Sequence, residues 1–469
     1  MEVQLFGISQ FGKSTNVTRQ QRLNAYIEPQ PGDDRARVAI YGFPGKDLFT
    51  SFGDTPIRGI YQRGDFLYVV HRGTFYEVNN AGVRTARGTI GTTTGRVYMT
   101  DNGSQLMLTD GSAGYIYTFA TTNFAQIIDA DYPGAETVTW QDGYFIVNKP
   151  DSQRFYVSAV NDGMSWDALD FASAESNPDD IVAVASDNSN LFLFGSISTE
   201  FWQNTGGTDF PFSRVSGGAI EWGCAAVNSI VKYDNSLAFL AKNRMGEVIV
   251  ARMNGYAPQR ISNPEIEYII NNYSAVSDAT AISYMLGGHP MLQINFPTAG
   301  ETWLFDGLSN AWSKLESYGE TRDRADIGVN YLDRIIVTDF ENGNLYRLNP
   351  LTFTENGQPL SFEVTSRHLS FDDKRFVVDM VQLDMETGVG LSTGQGSNPQ
   401  IMMQVSKDGG HTWGPEQWTS FGAIGTYQAR AIWRRPTGVA RDVVFRFRIT
   451  DPVKRVIFGA SMKIRPGRS

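Results

Sequence analysis

A repeated β-hairpin occupies the sequence between residues 64 and 348. Each unit has a short apolar strand, a turn containing Gly, Asp or Asn, and a second strand rich in aromatic residues. This pattern predicts two antiparallel strands joined by a tight turn. The paired strands are predicted at residues 64–70 and 72–78, 103–109 and 114–119, 142–148 and 154–159, 190–194 and 199–203, 235–241 and 246–252, 291–296 and 302–305, and 333–338 and 343–348. Because one hairpin cannot bury a face, the units are expected to stack on one another.

The spacing of the hairpins predicts a β-propeller. Successive units begin about 40 to 55 residues apart, which is the period of propeller blades. Seven hairpins therefore predict six or seven blades within residues 51–350, and stacked blades leave few open strand edges. A pair of β-sandwiches is the alternative that the pattern leaves open. Residues 1–50 have little periodicity, and we expect an extended N-terminal arm that leads into the first blade.

The pattern changes after residue 350. Residues 388–399 are rich in Gly and Ser and are typical of a loop, whereas residues 443–450 partly alternate apolar and polar side chains, as a half-buried strand does. Residues 351–469 are therefore predicted to form a second all-β domain that resembles a small β-sandwich.

Composition agrees with an all-β chain and narrows its function. The chain combines 47 Gly with 12% aromatic residues, as short strands joined by tight turns do. It contains no apolar run long enough to span a membrane, no secretory signal at its start and one cysteine, Cys224, so we expect folding in a reducing cytoplasm. A net charge of −10 argues against simple electrostatic binding of nucleic acid.

Residues Gly7 to Ser14 match the phosphate-binding pattern G-x-x-x-x-G-K-[ST]. Such a loop must leave a buried strand and enter a helix. Only six residues precede Gly7, and the Thr15 to Thr18 segment is poor helix sequence. The match is therefore interpreted as coincidence, and no cofactor is predicted.

An Asp-box, S-x-D-x-G-x-T-W, lies in the C-terminal domain. Its residues are Ser406, Asp408, Gly410, Thr412 and Trp413. The motif occurs on the propellers of sialidases and related glycoside hydrolases. Asp408 can cap backbone amides, and glycine can take the positive φ that the turn needs. A structural turn accounts for every residue of the motif, so no catalytic role is assigned to it.

The remaining polar residues give no catalytic or metal site. The four histidines, His71, His289, His368 and His411, are not spaced as ligands of zinc. Adjacent carboxylates such as Asp179 and Asp180 are expected in turns of an acidic chain. The sequence therefore predicts neither catalytic nor metal-binding residues.

One basic cluster stands out near the C-terminus. It comprises Arg430, Arg434, Arg435, Arg441, Arg446 and Arg448. Basic residues near a tryptophan could bind nucleic acid. Alternation along a strand favours a charged face that contacts an acidic protein partner, and this interpretation is preferred for an acidic chain.

Several short segments occur along the chain in a recognisable order. They are residues 39–45 (AIYGFPG) and 56–59 (PIRG), 174–179 (AESNPD), 194–202 (FGSISTEFW), 209–212 (DFPF), 223–226 (GCAA), 288–290 (GHP), 296–298 (FPT), 302–306 (TWLFD), 408–413 (DGGHTW), 432–435 (IWRR) and 451–454 (DPVK). No single segment is specific, but the ordered set resembles one family, the packaged-DNA-stabilisation or tail hub (nozzle) proteins of short-tailed bacteriophages.

The resemblance implies a structural protein of the virion tail, assembled in the host cytoplasm. Such proteins are similar to a sixfold ring below the head-to-tail adaptor. The ring extends the DNA channel, helps to retain the packaged double-stranded DNA and supports its ejection. It also carries tail fibres or spikes and often a plug or needle. The family brings no catalytic residue, and no membrane insertion is expected.

The net charge adds one hypothesis to this role. An acidic channel wall repels DNA phosphates, so the genome can slide without sticking. Two other functions remain as alternatives. A propeller glycosidase acting on surface polysaccharide predicts a pocket with two converging carboxylates, or an arginine triad that faces a tyrosine. A carbohydrate-binding module predicts a monomer with an exposed aromatic platform.

Overall fold

The computed structural model describes residues 5–6, 20–29, 38–370 and 374–467 of the 469-residue chain. Within these ranges the regular structure is almost entirely β-strand. The exceptions are one α-helix, α1 (Pro264–Ile270), and a single 3-10 turn (Val227–Ser229). Four strands precede the first complete blade: β1 (Gln21–Leu23), β2 (Ala25–Pro29), β3 (Val38–Gly42) and β4 (Gly45–Ser51).

The first four blades are antiparallel sheets whose four strands follow one another in sequence. Blade 1 contains β5 (Ile57–Arg63), β6 (Phe66–His71), β7 (Thr74–Asn79) and β8 (Arg84–Thr89). Blade 2 contains β9 (Tyr98–Asp101), β10 (Gln105–Thr109), β11 (Gly114–Thr118) and β12 (Asn123–Gln126). Blade 3 contains β13 (Val138–Gln141), β14 (Tyr144–Asn148), β15 (Arg154–Ala159) and β16 (Asp162–Ser173). Blade 4 contains β17 (Ile181–Asp187), β18 (Asn190–Gly195), β19 (Thr199–Asn204) and β20 (Phe212–Ile220).

Three further blades complete the propeller. In blade 5 the 3-10 turn separates two short strands that both pair with the next strand. Blade 5 contains β21 (Gly223–Cys224), β22 (Val231–Tyr233), β23 (Ser236–Lys242), β24 (Val248–Asn254) and β25 (Ala257–Arg260). Blade 6 contains β26 (Thr280–Leu286), β27 (His289–Phe296), β28 (Glu301–Asp306) and β29 (Ala311–Leu315). Blade 7 contains β30 (Ala325–Tyr331), β31 (Arg334–Asp339) and β32 (Asn344–Asn349), and β4 is its fourth strand.

The prediction of a β-propeller is confirmed, and the described residues form seven blades. Each predicted hairpin is the central strand pair of one blade. A separate apolar cluster lies between each pair of neighbouring blades. One example packs Tyr331 and Ile336 of blade 7 against Leu67 and Val69 of blade 1, which closes the ring. The first strands also meet around the centre, and the contacts β26–β30 and β30–β5 continue the circle.

Blade 7 is closed by a strand from near the start of the chain. β4 pairs with β32 from Gly45 opposite Asn349 to Ser51 opposite Asn344. Residues 45–50, expected from the sequence to lie in the arm, are thus part of the propeller sheet. The ends of the propeller are joined by main-chain hydrogen bonds, so opening the ring requires breaking them.

A buried ion-pair network secures this closing strand. Lys46 Nζ on β4 lies 2.5 Å from Asp323 Oδ2 and 2.7 Å from Glu355 Oε1, and all three side chains are buried. Burial alone would lower the pKa of Lys46, but the two carboxylates outweigh burial and raise it. Burial alone would raise the pKa of Glu355, but Lys46 and the hydrogen bond from Ser317 lower it. The charge of Lys46 and the charges of the two carboxylates therefore stabilise each other in this buried site.

The remaining strands follow the propeller. Two short strands, β33 and β34, extend the sheet of blade 7, and the others build the C-terminal domain. They are β33 (Thr354–Glu355), β34 (Gln358–Pro359), β35 (Phe362–Thr365), β36 (Leu369–Ser370), β37 (Phe376–Met385), β38 (Gln400–Ser406), β39 (Gln417–Ser420), β40 (Ala431–Arg434), β41 (Asp442–Ile449) and β42 (Val456–Pro466).

The C-terminal domain is a β-sandwich, as predicted, and it uses strands from both ends of the chain. One sheet has the order β2-β3-β42-β37-β40, and the other has the order β1-β35-β41-β38-β39. Buried residues of both sheets, including Val381, Trp433, Phe445 and Phe447, share one core. β36 also pairs with β41.

The second sheet of the sandwich continues directly into blade 6. β1 runs parallel to β29, with Leu23 opposite Lys314, and antiparallel to β35 on its other side. Asn24, directly after β1, donates to the main-chain oxygens of Glu316 and Ser361 and accepts from the N–H of Glu316. The two domains therefore share one continuous hydrogen-bonded sheet.

Candidate partner-binding surfaces

The Asp-box forms a tight turn between β38 and β39. Ser406 Oγ donates to Asp408 Oδ1 at 2.7 Å and accepts from the N–H of Gly410 at 2.8 Å. Asp408 also accepts from the N–H and the hydroxyl of Thr412, at 2.9 and 2.5 Å. Gly410 has a φ of 89°, which a side chain would strain. Every polar member of the motif thus has a partner inside the turn.

The electrostatics of the turn are equally local. Hydrogen bonds from Ser406 and Thr412 hold the pKa of Asp408 well below its usual range. Such a carboxylate stays ionised and is a poor proton donor. The Trp413 ring lies half-buried under the guanidinium of Arg446, whose carbon is 4.3 Å from the ring centre. The arrangement is that of a stable turn with a cation–π contact.

The six arginines of the basic cluster do not form one face. Trp433 on β40 and Phe445 on β41 point into the shared core from opposite sheets. Since side chains alternate along a strand, Arg434 and Arg446 project from opposite sides of the sandwich. The expectation of a single basic face is therefore wrong, because the two strands belong to different sheets.

Two of these arginines are occupied by intramolecular partners. Arg446 Nε donates to Gln404 Oε1 at 3.0 Å. Arg448 donates twice to Glu363 Oε2, at 2.9 and 2.7 Å. Both side chains are half-buried. Arg430, Arg434, Arg435 and Arg441 are exposed, and none of them pairs with a carboxylate of the described residues.

A cavity of about 580 Å³ lies beside the first strands of the propeller. Its walls include Arg58, Arg72, Arg96 and one carboxylate, Asp326. These three arginines are the candidates for the arginine triad that a glycosidase would need. Arg58 is already saturated, because its guanidinium donates to main-chain oxygens of residues 72, 92, 94 and 95 and to the Thr92 hydroxyl.

The other cavity residues also lack the predicted arrangement. Arg96 lies 3.5 Å from Asp326 in an ion pair. Asp326 is the one carboxylate among the lining residues, and no tyrosine is among them. Neither two converging carboxylates nor an arginine triad facing a tyrosine is found in this cavity. Arg58 and Arg72 bind loops of blades 1 and 2, and Arg96 binds blade 7 through Asp326.

The described residues contain no group of three or more His, Cys, Asp or Glu arranged to hold a metal ion. In the same ranges no helix is long and apolar enough to cross a membrane. Residues Gly7 to Ser14, which match the phosphate-binding pattern, lie outside the described residues. Cys224 is buried, and burial raises the pKa of its thiol to about 12.

Charge is divided unevenly between the two domains. Residues 361–469 contain 15 Lys and Arg against 10 Asp and Glu, a net charge of +5. Residues 1–360 therefore have a net charge of −15, and the whole chain has a net charge of −10. The acidic excess is concentrated in blades 2 and 3, since residues 98–173 contain ten Asp and Glu but two Lys and Arg.

Two family models match the chain in sequence order. The model described as bacteriophage P22 Gp10, beta-propeller, matches residues 24–353. The model described as bacteriophage P22 Gp10, beta-sandwich, matches residues 361–465. The chain belongs to the bacteriophage P22 Gp10 family of phage tail hub proteins. The family resemblance stated from the sequence is thereby confirmed.

A relative from this Gp10 family is the tail hub protein gp10 of Salmonella phage P22. It is 21% identical over 308 residues, which are 62% of this chain and 62% of the relative. The match thus spans less than two thirds of the relative's length.

Solved structures that are similar to part of this chain include three proteins. The computationally designed Ika8 protein is 11% identical with a TM-score of 0.40, over 70% of this chain and 99% of that chain. The N-terminal domain of Nup159 is 9% identical with a TM-score of 0.40, over 70% and 98%. The WD40 β-propeller domain of Doa1 is 13% identical with a TM-score of 0.41, over 65% and 97%.

Proposed function

We propose that the chain is a structural hub of a phage tail, assembled in the host cytoplasm as a ring of six copies below the head-to-tail adaptor. The ordered match of both Gp10 models to the propeller and the sandwich carries this proposal. The relative matched over most of this range is named a tail hub protein. The role is structural, and no cofactor takes part.

The proposed ring extends the DNA channel from the head. It retains the packaged genome, supports its ejection, and carries tail fibres or spikes and a plug or needle. The net charge of −10 supports an acidic channel wall. Such a wall repels the phosphates of double-stranded DNA, which passes without specific binding. A ring whose channel wall proved strongly basic would refute this part of the proposal.

The architecture supports a role in which the subunit resists mechanical force. Strand β4 ties the two ends of the propeller together, and β1 joins the sandwich to blade 6 through main-chain hydrogen bonds. Movement of one domain against the other would break a continuous sheet. A rigid subunit of this kind suits a ring that holds against the pressure of packaged DNA.

The test uses heads from the phage that encodes this chain, after deletion of its gene. Purified chain is added to DNA-filled heads, and the bound copies are counted by quantitative gel analysis and electron microscopy. We expect six copies per head, slower release of DNA and restored infectivity. Heads that bind none of the chain, together with saturable binding of sugar by a monomer, would overturn the proposal.

A second assay addresses the glycosidase alternative. The purified chain is incubated with polysaccharide from the host surface, and newly formed reducing ends are measured. We expect no hydrolysis above that of heat-denatured chain. Hydrolysis abolished by Asp326→Asn, but unaffected by Asp408→Asn, would place an active site in the cavity lined by Arg58, Arg96 and Asp326 and contradict the structural role.

A further inference from the structure

The outer rim of blades 2 and 3 carries an acidic and apolar patch. Ile128 follows β12 and Leu169 lies on β16, and these side chains are 87% and 79% exposed. The N–H of Trp166 donates to Asp129 Oδ2 at 3.0 Å, which holds the two stretches side by side. The same stretches carry four carboxylates without an ion-pair partner among the described residues: Asp129, Asp131, Asp167 and Asp170. This set of four carboxylates with Ile128 and Leu169 is called the acidic rim.

The negative charges of the acidic rim are not neutralised by ion pairs among the described residues. Burial, and then the negative charge of Asp167, raise the pKa of Asp170. Like charges close together with no cation between them have this effect. A basic partner surface would remove the repulsion.

The far edge of the sandwich has the opposite character. Residues 417–435 contain three arginines and no Asp or Glu. They comprise β39, β40 and the loop between them, which connects the last strands of the two sheets. Its exposed apolar and basic side chains include Ile424, Tyr427, Arg430, Arg434 and Arg435. Trp418 is also exposed, but it lies on β39 opposite Met402 and so projects from the outward face of the other sheet, with Arg448. The five residues Ile424, Tyr427, Arg430, Arg434 and Arg435 are called the sandwich edge.

The two surfaces lie at opposite ends of the molecule. β29 is the outermost strand of blade 6, and the sandwich sheet continues outward from it through β1, β35, β41 and β38 to β39. Five strand spacings place β39 about 24 Å beyond the rim of blade 6. In a ring of seven blades, blades 2 and 3 are the pair opposite blade 6. The sandwich edge therefore cannot reach the acidic rim of its own chain.

We infer that the sandwich edge of one copy docks on the acidic rim of the next copy. This inference deepens the proposed ring and rests on it. Three arginines would face four carboxylates, while Ile424 and Tyr427 would cover Ile128 and Leu169. Two different surfaces at opposite ends give a heterologous, head-to-tail contact, which closes into a ring when the rotation between copies allows it.

DNA is the other ligand that arginines with exposed aromatics could bind. A second copy is favoured because the chain itself supplies a surface of opposite charge and matching apolar content. DNA binding would also leave Ile128 and Leu169 exposed, although large exposed apolar side chains grouped together mark contact sites.

The test reverses the charge of each surface separately. The edge variant carries Arg430→Glu, Arg434→Glu and Arg435→Glu. The rim variant carries Asp131→Lys, Asp167→Lys and Asp170→Lys, and it keeps Asp129, which caps the Trp166 amide. A control variant carries Asp54→Lys, Asp65→Lys and Asp333→Lys, three exposed carboxylates around blades 7 and 1. Circular dichroism melting checks that each variant is folded.

Copies bound per head are then counted at low and high salt. We expect the edge variant and the rim variant each to require at least tenfold more protein for full loading, while the control loads like the parent. Combining both reversals in one chain, or mixing the two variants, should restore loading because opposite charges again face each other. Loading of the parent should also weaken as salt rises.

The outcomes separate this contact from the proposed hub. If both variants load like the parent, the contact is refuted and the hub stands. If the parent itself never loads, the hub is refuted as well. Loss of loading without rescue by the combined variant, or an edge variant that loses binding of a duplex oligonucleotide while rings still form, would also overturn the inference.

Discussion

The propeller and the sandwich are built in different ways from the same chain. Six of the seven blades use strands that follow one another directly, and the seventh borrows only β4. The sandwich instead combines β1, β2 and β3 with strands that lie more than 300 residues later. The propeller carries the acidic excess and the sandwich the basic one.

This difference explains how the propeller can have a regular blade repeat and still be closed by hydrogen bonds between its two ends. Each blade needs only its neighbours, so most of the propeller could form locally. The strands before residue 52 are the exception, since they close the ring and complete the other domain at once. The stability of the whole therefore depends on a short segment whose contacts are all distant in sequence.

The largest effect is expected at the closing strand. Lys46→Met removes the only positive charge of the buried Lys46, Asp323 and Glu355 network and leaves two buried carboxylates facing each other. Removing one partner of a buried ion pair costs about 3–5 kcal/mol. Urea unfolding measures the loss, and hydrogen exchange should show the fastest opening in β4. Lys232→Met, at an exposed position of β22, is the control.

A triple variant sharpens the comparison. Lys46→Met with Asp323→Asn and Glu355→Gln removes every charge, so it should be more stable than Lys46→Met alone. If Lys46→Met were as stable as the parent, the closing strand would not depend on this network.

The second effect is expected where the domains join. Asn24→Ala removes three hydrogen bonds and leaves the Glu316 N–H and the Ser361 carbonyl without that partner, a cost of about 2–3 kcal/mol. Asn24 has a φ of 50°, and glycine adopts this conformation freely. Asn24→Gly should therefore be about 1 kcal/mol more stable than Asn24→Ala. Equal stabilities in calorimetry would show that backbone strain contributes nothing here.

The difference between local and distant strand pairing also determines which strands could be predicted from the sequence. The hairpins were visible because each apolar strand, turn and aromatic strand occurs within about 18 residues, and they predicted the central strands of all seven blades. β4 could not be recognised, because Gly45–Ser51 carries no strong alternation and pairs with residues 344–349. Its role depends on distant partners, which periodicity does not report.

The surfaces were predicted less well for the same reason. The Asp-box was visible because its hydrogen bonds connect residues two to four apart. The arginines were expected on one face, but β40 and β41 belong to different sheets, and sequence proximity cannot show this. The acidic rim was missed although a count of charges over residues 98–173 would have indicated it.

Acid should weaken the propeller closure through Glu355. Its pKa is lowered in the folded chain, so the unfolded chain binds a proton there more readily. The stabilisation that ionised Glu355 gives the folded chain is complete when the pH is above 4.5, the ordinary pKa of a glutamate. It is lost as the pH falls through the lower pKa of Glu355 in the folded chain. Glu355→Gln should flatten the fall of the unfolding midpoint in this range, while the exposed control Glu175→Gln should not. An unchanged acid profile for Glu355→Gln would contradict this assignment.

The smallest effect is expected at the Asp-box. Asp408→Asn keeps the size of the side chain but removes the charge that accepts from Ser406 and Thr412. We expect faster hydrogen exchange at the Thr412 amide and at β39, with no change in the propeller, because these bonds stay within one hairpin. Lys407→Gln, one residue earlier and exposed, is the control. Since neither the sandwich edge nor the acidic rim includes this turn, loading onto heads should also be unchanged. A loading defect in Asp408→Asn alone would show that the turn contacts a partner and does more than hold β38 to β39.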